Sequence, residues 1–203
     1  MLKPVALALA LTLGVAGCAH NSWETQYEQL NPVTTANWRV ADVRVSAPQT
    51  LTTTEVNSYV PDADVVWHGD PQGDRRAQAA AIVAQGIRDG ASGLRGARPV
   101  VINATISQFH ALTPKARGME GNVGVHDIRY TVTVTDARTG ETLAPAQDIR
   151  ADKAALVGSA AADADARGFT QKVEITQHLA AVTRHWLGLP ATDPRGAFNR
   201  TGR

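Results

Sequence analysis

The residues that could ligate a metal in this 203-residue chain are six histidines, one cysteine and the carboxylates. His178 and His185 stand seven positions apart in a helical pattern, roughly 10 Å along the axis, too far to share one zinc. No His-x-x-x-His spacing and no second cysteine occurs. The spacing therefore predicts no metal centre, and no cofactor is expected. Ser, His and Asp are all present, but "VGSAA" at 157–161 lacks the second glycine of a G-x-S-x-G elbow. Asp163 and Asp165 sit in an alanine-rich stretch without the burial that tunes a carboxylate pair. The loop "PKARGMEGNVG" at 114–124 has the glycines of a phosphate-binding loop but not its Lys-Ser/Thr. No catalytic residue is predicted. Lys115, Arg117, Met119, Glu120 and Asn122 give that loop two readings, a plain connection or a lip that contacts a partner.

Cys18 is the remaining candidate for chemistry. It ends a run that opens with Lys3 and is apolar from Val5 to Ala16 apart from Thr12 and Gly14. A positive start, a short apolar stretch and small residues form the pattern of an export signal over 1–17. The run is too short to span a bilayer, which takes roughly 20 apolar residues. Val15-Ala16-Gly17-Cys18 resembles the lipobox of bacterial lipoproteins. That resemblance implies a thioether between the Cys18 sulfur and a diacylglyceryl group. Ala16 and Gly17 would then let a peptidase reach the bond before Cys18, whose new amino group is acylated in turn. Two or more acyl chains hold a protein firmly at a membrane. Ala19, where an Asp favours inner-membrane retention in such proteins, implies the outer membrane, with the domain facing the periplasm.

The elements that must carry these residues follow from periodicity. Without residues 1–17 the chain loses one cation, Lys3, leaving 19 basic and 19 acidic residues. That balance argues against nucleic acid, which asks for a basic face. An apolar content of 43% suits one packed core. We divide the chain into a signal peptide (1–17), a lipidated tether (18–36), a single α+β domain (37–189) and a disordered tail (190–203). Trp23, Tyr27 and Leu30 in the tether fall at helical spacing, which a flexible segment also allows. Strands are predicted at 38–45, with a slip between Val40 and Val43, and at 64–68. Further strands fall at 99–109, 125–135 and from Glu141 toward Pro145, with a turn at 136–140. A helix is expected over 75–89 with an Ala77, Ala80, Ala81, Ala84, Ile87 stripe and a stop at Gly90. A second is expected over 170–187, burying Ile175, Leu179, Val182 and Trp186. Residues 152–168 read as an exposed, mobile connection. The fold class is α+β, a mostly antiparallel sheet of about five strands with two helices on one face.

"RPVVINATISQFH", the glycine-bearing loop and "IRYTVTVTDARTGETLA" together resemble a class of small bacterial envelope lipoproteins. The fold implied is similar to the N-terminal domain of the TolB translocation protein, and the resemblance carries no catalytic residues. Two functions are open on the sequence. One is a non-enzymatic accessory or binding subunit of an envelope transport or assembly complex, held to the membrane through Cys18 and docked on another envelope protein. The other is a carrier of lipid or glycan in a groove between helix and sheet. Pro145 further suggests an edge with free backbone groups for strand addition.

Overall fold

The computed structural model describes residues 22–202; the signal segment and Cys18 lie outside them. The sheet is built on two long central strands, β4 (Arg98–His110) and β5 (Val125–Asp136), paired antiparallel from Val100↔Asp136 to His110↔Asp127. Their alternation is the cause of the layering. Val100, Ile102, Ala104 and Ile106 of β4, with Ile128, Tyr130, Val132 and Val134 of β5, are all buried under the helices. Asn103, Thr105, Thr131, Thr133 and Thr135 face the other way and stay partly or fully exposed.

The remaining strands are β1 (Ser22–Gln26), β2 (Trp38–Ser46), β3 (Val65–Val66), β6 (Thr142–Ala151), β7 (Lys153–Ala154) and β8 (Gly196–Asn199). The order is β2-β4-β5-β6-β1-β8, with β3 beside the far end of β4 and β7 beside the start of β5. The helices are α1 (Pro32–Thr35), α2 (Arg75–Ala91), α3 (Pro114–Arg117), α4 (Gly158–Ala166) and α5 (Gln171–Trp186). The fold is thus α+β with a mixed sheet of eight strands and five helices among the described residues, larger than the expected five and two. The sheet is mixed because α2 crosses between β2 and β4, which brings the chain back in the same direction and pairs the two in parallel. The slip foreseen in β2 is a bulge between Val40 and Asp42.

Three assignments change. Residues within the expected tether form β1 and α1, and Trp23 and Tyr27 are buried. The expected tail supplies β8, which pairs with β1 from Ser22↔Asn199 to Thr25↔Gly196. Both strands are too short to show a period and become strands by finding each other. The stretch 152–168 is ordered too, holding β7 and α4, with Ala161 and Ala164 buried.

Helix α2 starts at Asp74, whose side chain accepts the N–H groups of Arg76 and Ala77. Its buried stripe keeps Ala84 and Ile87 of the expected series but not Ala77 and Ala81, which are exposed; Ala79, Ile82, Val83, Gly86, Gly90 and Ala91 are buried with them. Gly90 does not stop the helix. A Cβ there would lie 2.5 Å from the Ala180 carbonyl oxygen, and one at Gly86 would lie 2.5 Å from the Leu179 Cβ. The two glycines let α2 and α5 touch backbone to backbone. α5 buries Ile175, Leu179, Val182 and Trp186 as its spacing predicts, capped by Thr170 and ended at Gly188 with φ 71°. The β5–β6 turn also forms as read: Asp136 accepts from Arg138 and Thr139 N–H at 2.8 and 3.0 Å, and Gly140 takes φ 75°. Side chains of both helices pack on the central strands to form one core.

Candidate functional site

One end of the domain gathers the polar and exposed features. Here β4 finishes, β5 and α5 begin, β7 pairs with β5, and Ser22 opens β1 beside Asn199. The loop from α3 to β5 runs across this end. Asn122 Nδ2 donates to the Asn199 carbonyl at 3.2 Å, and Thr201 N–H donates to the Asn122 carbonyl at 3.1 Å.

Two adjacent residue pairs, His126-Asp127 on β5 and Asp152-Lys153 at the β6–β7 junction, point alternately to the two faces of the sheet. On the helix face, buried Glu174 of α5 lies 3.5 Å from His126 Nε2, 3.2 Å from Lys153 Nζ and 3.8 Å from Arg117 Nη1. Glu174 also accepts the Leu156 N–H at 3.2 Å. Burial alone pushes the Glu174 carboxyl up, but the His126 ring and the Lys153 ammonium outweigh it and hold the group at about 2. Burial lowers the His126 pKa and favours its neutral form. His178, 3.4 Å from Thr25 Oγ1, is brought down to about 4 by burial, with Lys153 adding to the effect.

On the other face, buried Asp127 accepts from Gln108 Nε2 at 2.8 Å and Arg129 Nε at 2.8 Å. Asp152, also buried, accepts from Glu24 N–H and Arg150 Nη2, each at 3.2 Å. Burial and the charge of Asp127 raise Asp152 to about 6. Sequence reasoning missed both carboxylate clusters, whose partners come from distant parts of the chain. The signal available was an acid-plus-base dipeptide at each of two strand ends.

The five loop residues divide. Arg117 pairs with Asp165 at 2.8 Å and donates to the Leu156 carbonyl at 3.3 Å. Glu120 accepts the Ser159 N–H at 2.8 Å, capping the first turn of α4. Asn122 holds the β8 end as described. These three hold the chain's own elements. Lys115 and Met119 stay at the surface, Lys115 with its Nζ 4.5 Å over the Tyr59 ring. His178 and His185 lie apart, the latter 2.9 Å from the Tyr27 hydroxyl. Among the described residues no group of three or more His, Cys, Asp or Glu is placed to hold a metal ion.

Three surface clefts accompany this arrangement. One of about 300 Å³ lies beside Arg117, Lys172 and His68 at the same end. Another of about 290 Å³ separates β2 from the end of α2. The largest of the three, about 610 Å³, lies between residues 26–30 and the β6 stretch 145–150, over Trp186. It exists because β1 pairs with β6 only at Arg150 and Ala151 and then turns away. Among the described residues, β6 from Thr142 to Ile149 has no ladder partner on that side. Pro145 is accommodated at a bulge, where two β6 residues face one of β5.

Solved structures resemble the fold distantly. A PelC dodecamer subunit from Paraburkholderia phytofirmans is 13% identical, over 81% of this chain and 96% of that one, with a TM-score of 0.35. A candidate lipoprotein from Caulobacter crescentus is 11% identical, over 77% and 92%, at 0.34. A Xanthomonas campestris protein of the DUF330 family is 10% identical, over 79% and 91%, at 0.41. The TolB-type likeness is not shown by these comparisons. No curated protein matches the sequence. A family model does match residues 38–203, which takes in the whole sheet apart from β1, and the chain belongs to that family, the family of unknown function DUF6778.

Proposed function

We propose that this chain is a lipid-anchored, non-enzymatic protein of the bacterial envelope that binds a partner protein along the open edge of β6. The anchor is Cys18, with the domain on the periplasmic side of the outer membrane, in keeping with the lipobox-like Val15-Ala16-Gly17-Cys18. The observation that carries the binding role is the unpaired edge of β6 facing a cleft of about 610 Å³. An extended segment laid there would find backbone groups to pair with. Its side chains would meet Tyr27, Leu30 and Trp186 on the apolar side and Glu28, Asp148 and Arg150 on the polar side.

The buried acid and base groups support a binding role over a catalytic one. Glu174, Asp127 and Asp152 are each occupied by cations or N–H groups of the chain itself.

The test is a photo-crosslinking amino acid placed at exposed Ala146, with exposed Thr139 in the β5–β6 turn as control, in intact cells of the native host. A single envelope protein captured at 146 and not at 139, and displaced by a peptide copying its crosslinked segment, is the expected result. Equal capture at both sites, or no displacement, refutes edge binding.

A further inference from the structure

Five large apolar side chains among the described residues are more than a third exposed: Val33, Val56, Tyr59, Val60 and Met119. Four of them belong to the loop 55–60 and to the chain just after α3, which meet at the end of the domain where β1 begins. Val33 alone lies at the opposite end, beside the close of α5, where Thr35 Oγ1 donates to the Leu187 carbonyl at 2.7 Å. Singly exposed apolar residues are ordinary; a cluster is not.

The exposure is built. Four of the seven residues of loop 55–61 are fastened to the body. Glu55 takes Arg75 Nε and Nη2 at 2.7 and 2.8 Å, and Asn57 Oδ1 accepts the Lys115 N–H at 2.8 Å. The Ser58 carbonyl accepts from Thr113 Oγ1 at 2.6 Å, and the Pro61 carbonyl lies 3.0 Å from His110 Nε2. Between these ties Val56, Tyr59 and Val60 stand 61%, 49% and 64% exposed. The ties spend the loop's polar groups on the body and leave its apolar ones in water. Tyr59 carries Lys115 on its ring face. An aromatic ring with a basic side chain amid aliphatic groups is the composition found at the headgroup level of membranes. Asp62, exposed at the rim, belongs in the aqueous layer above.

We propose that this patch is a second membrane contact, seated in the bilayer that carries the acyl chains of Cys18. The inference rests on the anchor reading and adds a surface to it. Cys18 precedes Ser22, the first residue of β1, by four positions, so even fully extended the intervening chain reaches only about 14 Å. The end of the domain from which β1 starts is therefore held at the membrane surface. The patch shares that end. Ser22 pairs with Asn199, Asn199 is bonded to Asn122, and Met119 stands three residues before Asn122. Loop 55–61 lies across β4, three strand positions from β1, roughly 15 Å at the usual inter-strand spacing. Anchor and patch thus form two points of support, which fix the tilt of the domain on the bilayer. That tilt would set which way the open β6 edge faces.

The test uses the mature protein from its native host, reconstituted in vesicles of phosphatidylethanolamine and phosphatidylglycerol. Cys18 is the only cysteine in the sequence, so once its sulfur is held in the diacylglyceryl thioether a single introduced thiol is the only one free to label. Val60→Cys, Met119→Cys and, as control, Val33→Cys carry an environment-sensitive fluorophore, and the vesicles contain nitroxide-labelled lipid. Quenching at 60 and 119 at least severalfold above that at 33 is expected. Equal quenching at all three overturns the contact. Labels at 60 and 119 that are shielded from aqueous iodide yet untouched by the lipid nitroxide assign the patch to a protein neighbour and also overturn it. Intact mass reads the anchor separately. An acylated protein without selective quenching keeps the anchor and refutes the patch; an unacylated one with selective quenching does the reverse.

Discussion

Replacing Glu174 by glutamine tests how much of the fold rests on one buried charge. The carboxylate is 1% exposed and lies within 4 Å of His126, Lys153 and Arg117. Its pKa falls from an ordinary 4.5 to about 2. At ~1.4 kcal/mol per tenfold change in acidity, that difference is worth ~3 kcal/mol. It agrees with the 3–5 kcal/mol lost on average when one partner of a buried pair is removed. The folded value lies below the unfolded one, so the contribution is fully present above pH ~4.5 and is lost as pH falls toward ~2. Glutamine keeps the shape and a carbonyl acceptor for the Leu156 N–H but leaves half-buried Lys153 without its counter-charge. Urea unfolding, followed by the fluorescence of buried Trp67 and Trp186, should give a wild-type advantage of ~3 kcal/mol at pH 7 that shrinks toward zero near pH 2. The other titrating groups are common to both proteins and largely cancel in the difference. An advantage below ~1 kcal/mol at pH 7, or one that does not change with pH, refutes the assignment.

Two other substitutions probe different parts of the design. Gly90→Ala puts a methyl 2.5 Å from the Ala180 carbonyl and 2.6 Å from the Thr183 Cβ, so α2 and α5 must separate. Overpacking of ~1–3 kcal/mol exceeds the ~1 kcal/mol of helix propensity that alanine gains, and the melting temperature should drop by a few degrees; a rise refutes the close contact. Asp152→Asn should leave the protein as stable or more so at pH 8, with the benefit gone below pH 4. The wild-type carboxyl rises from 3.8 to about 6 on folding, so its ionisation opposes folding as pH climbs through that interval. A loss of stability at pH 8 would mean that the pairing with Arg150 outweighs burial and the Asp127 charge.

The central strands were legible because each obeys one local rule. β4 and β5 alternate apolar and polar residues along their length, and the turn between β5 and β6 carries Asp136 and Gly140 at the places that the turn requires. Helix α5 was legible for the same reason, with four large side chains on one stripe. α2 was misread because alanine serves either face, while glycine was taken for a stop where it is a point of close approach to α5. β1 and β8 carry too few residues for a period, and their pairing bridges more than 170 positions of chain. Of the loop, the sequence offered five polar and apolar residues as one lip. It held no sign that Arg117, Glu120 and Asn122 would be used on Asp165, Ser159 and Asn199, because each partner lies in a segment whose structure was itself unread.

The stretch 152–168 explains why polar groups join the small apolar cluster of Leu112, Ala116, Ala155 and Val157 in closing the end of the domain where β1 begins. Its alanines bury little area each, so α4 contributes little hydrophobic stabilisation to hold itself down. The Arg117–Asp165 pair, the Glu120 cap and the Glu174 cluster supply directional bonds in its place. Arg117 belongs to two of these three, reaching Asp165 on α4 and Glu174 on α5 while its backbone ends α3. It therefore ties the surface turn that carries Lys115 and Met119 to the buried charges behind it. An apolar patch left in solvent has to keep its shape without the core packing that usually fixes such side chains, and directional bonds from the body to the loop meet that need.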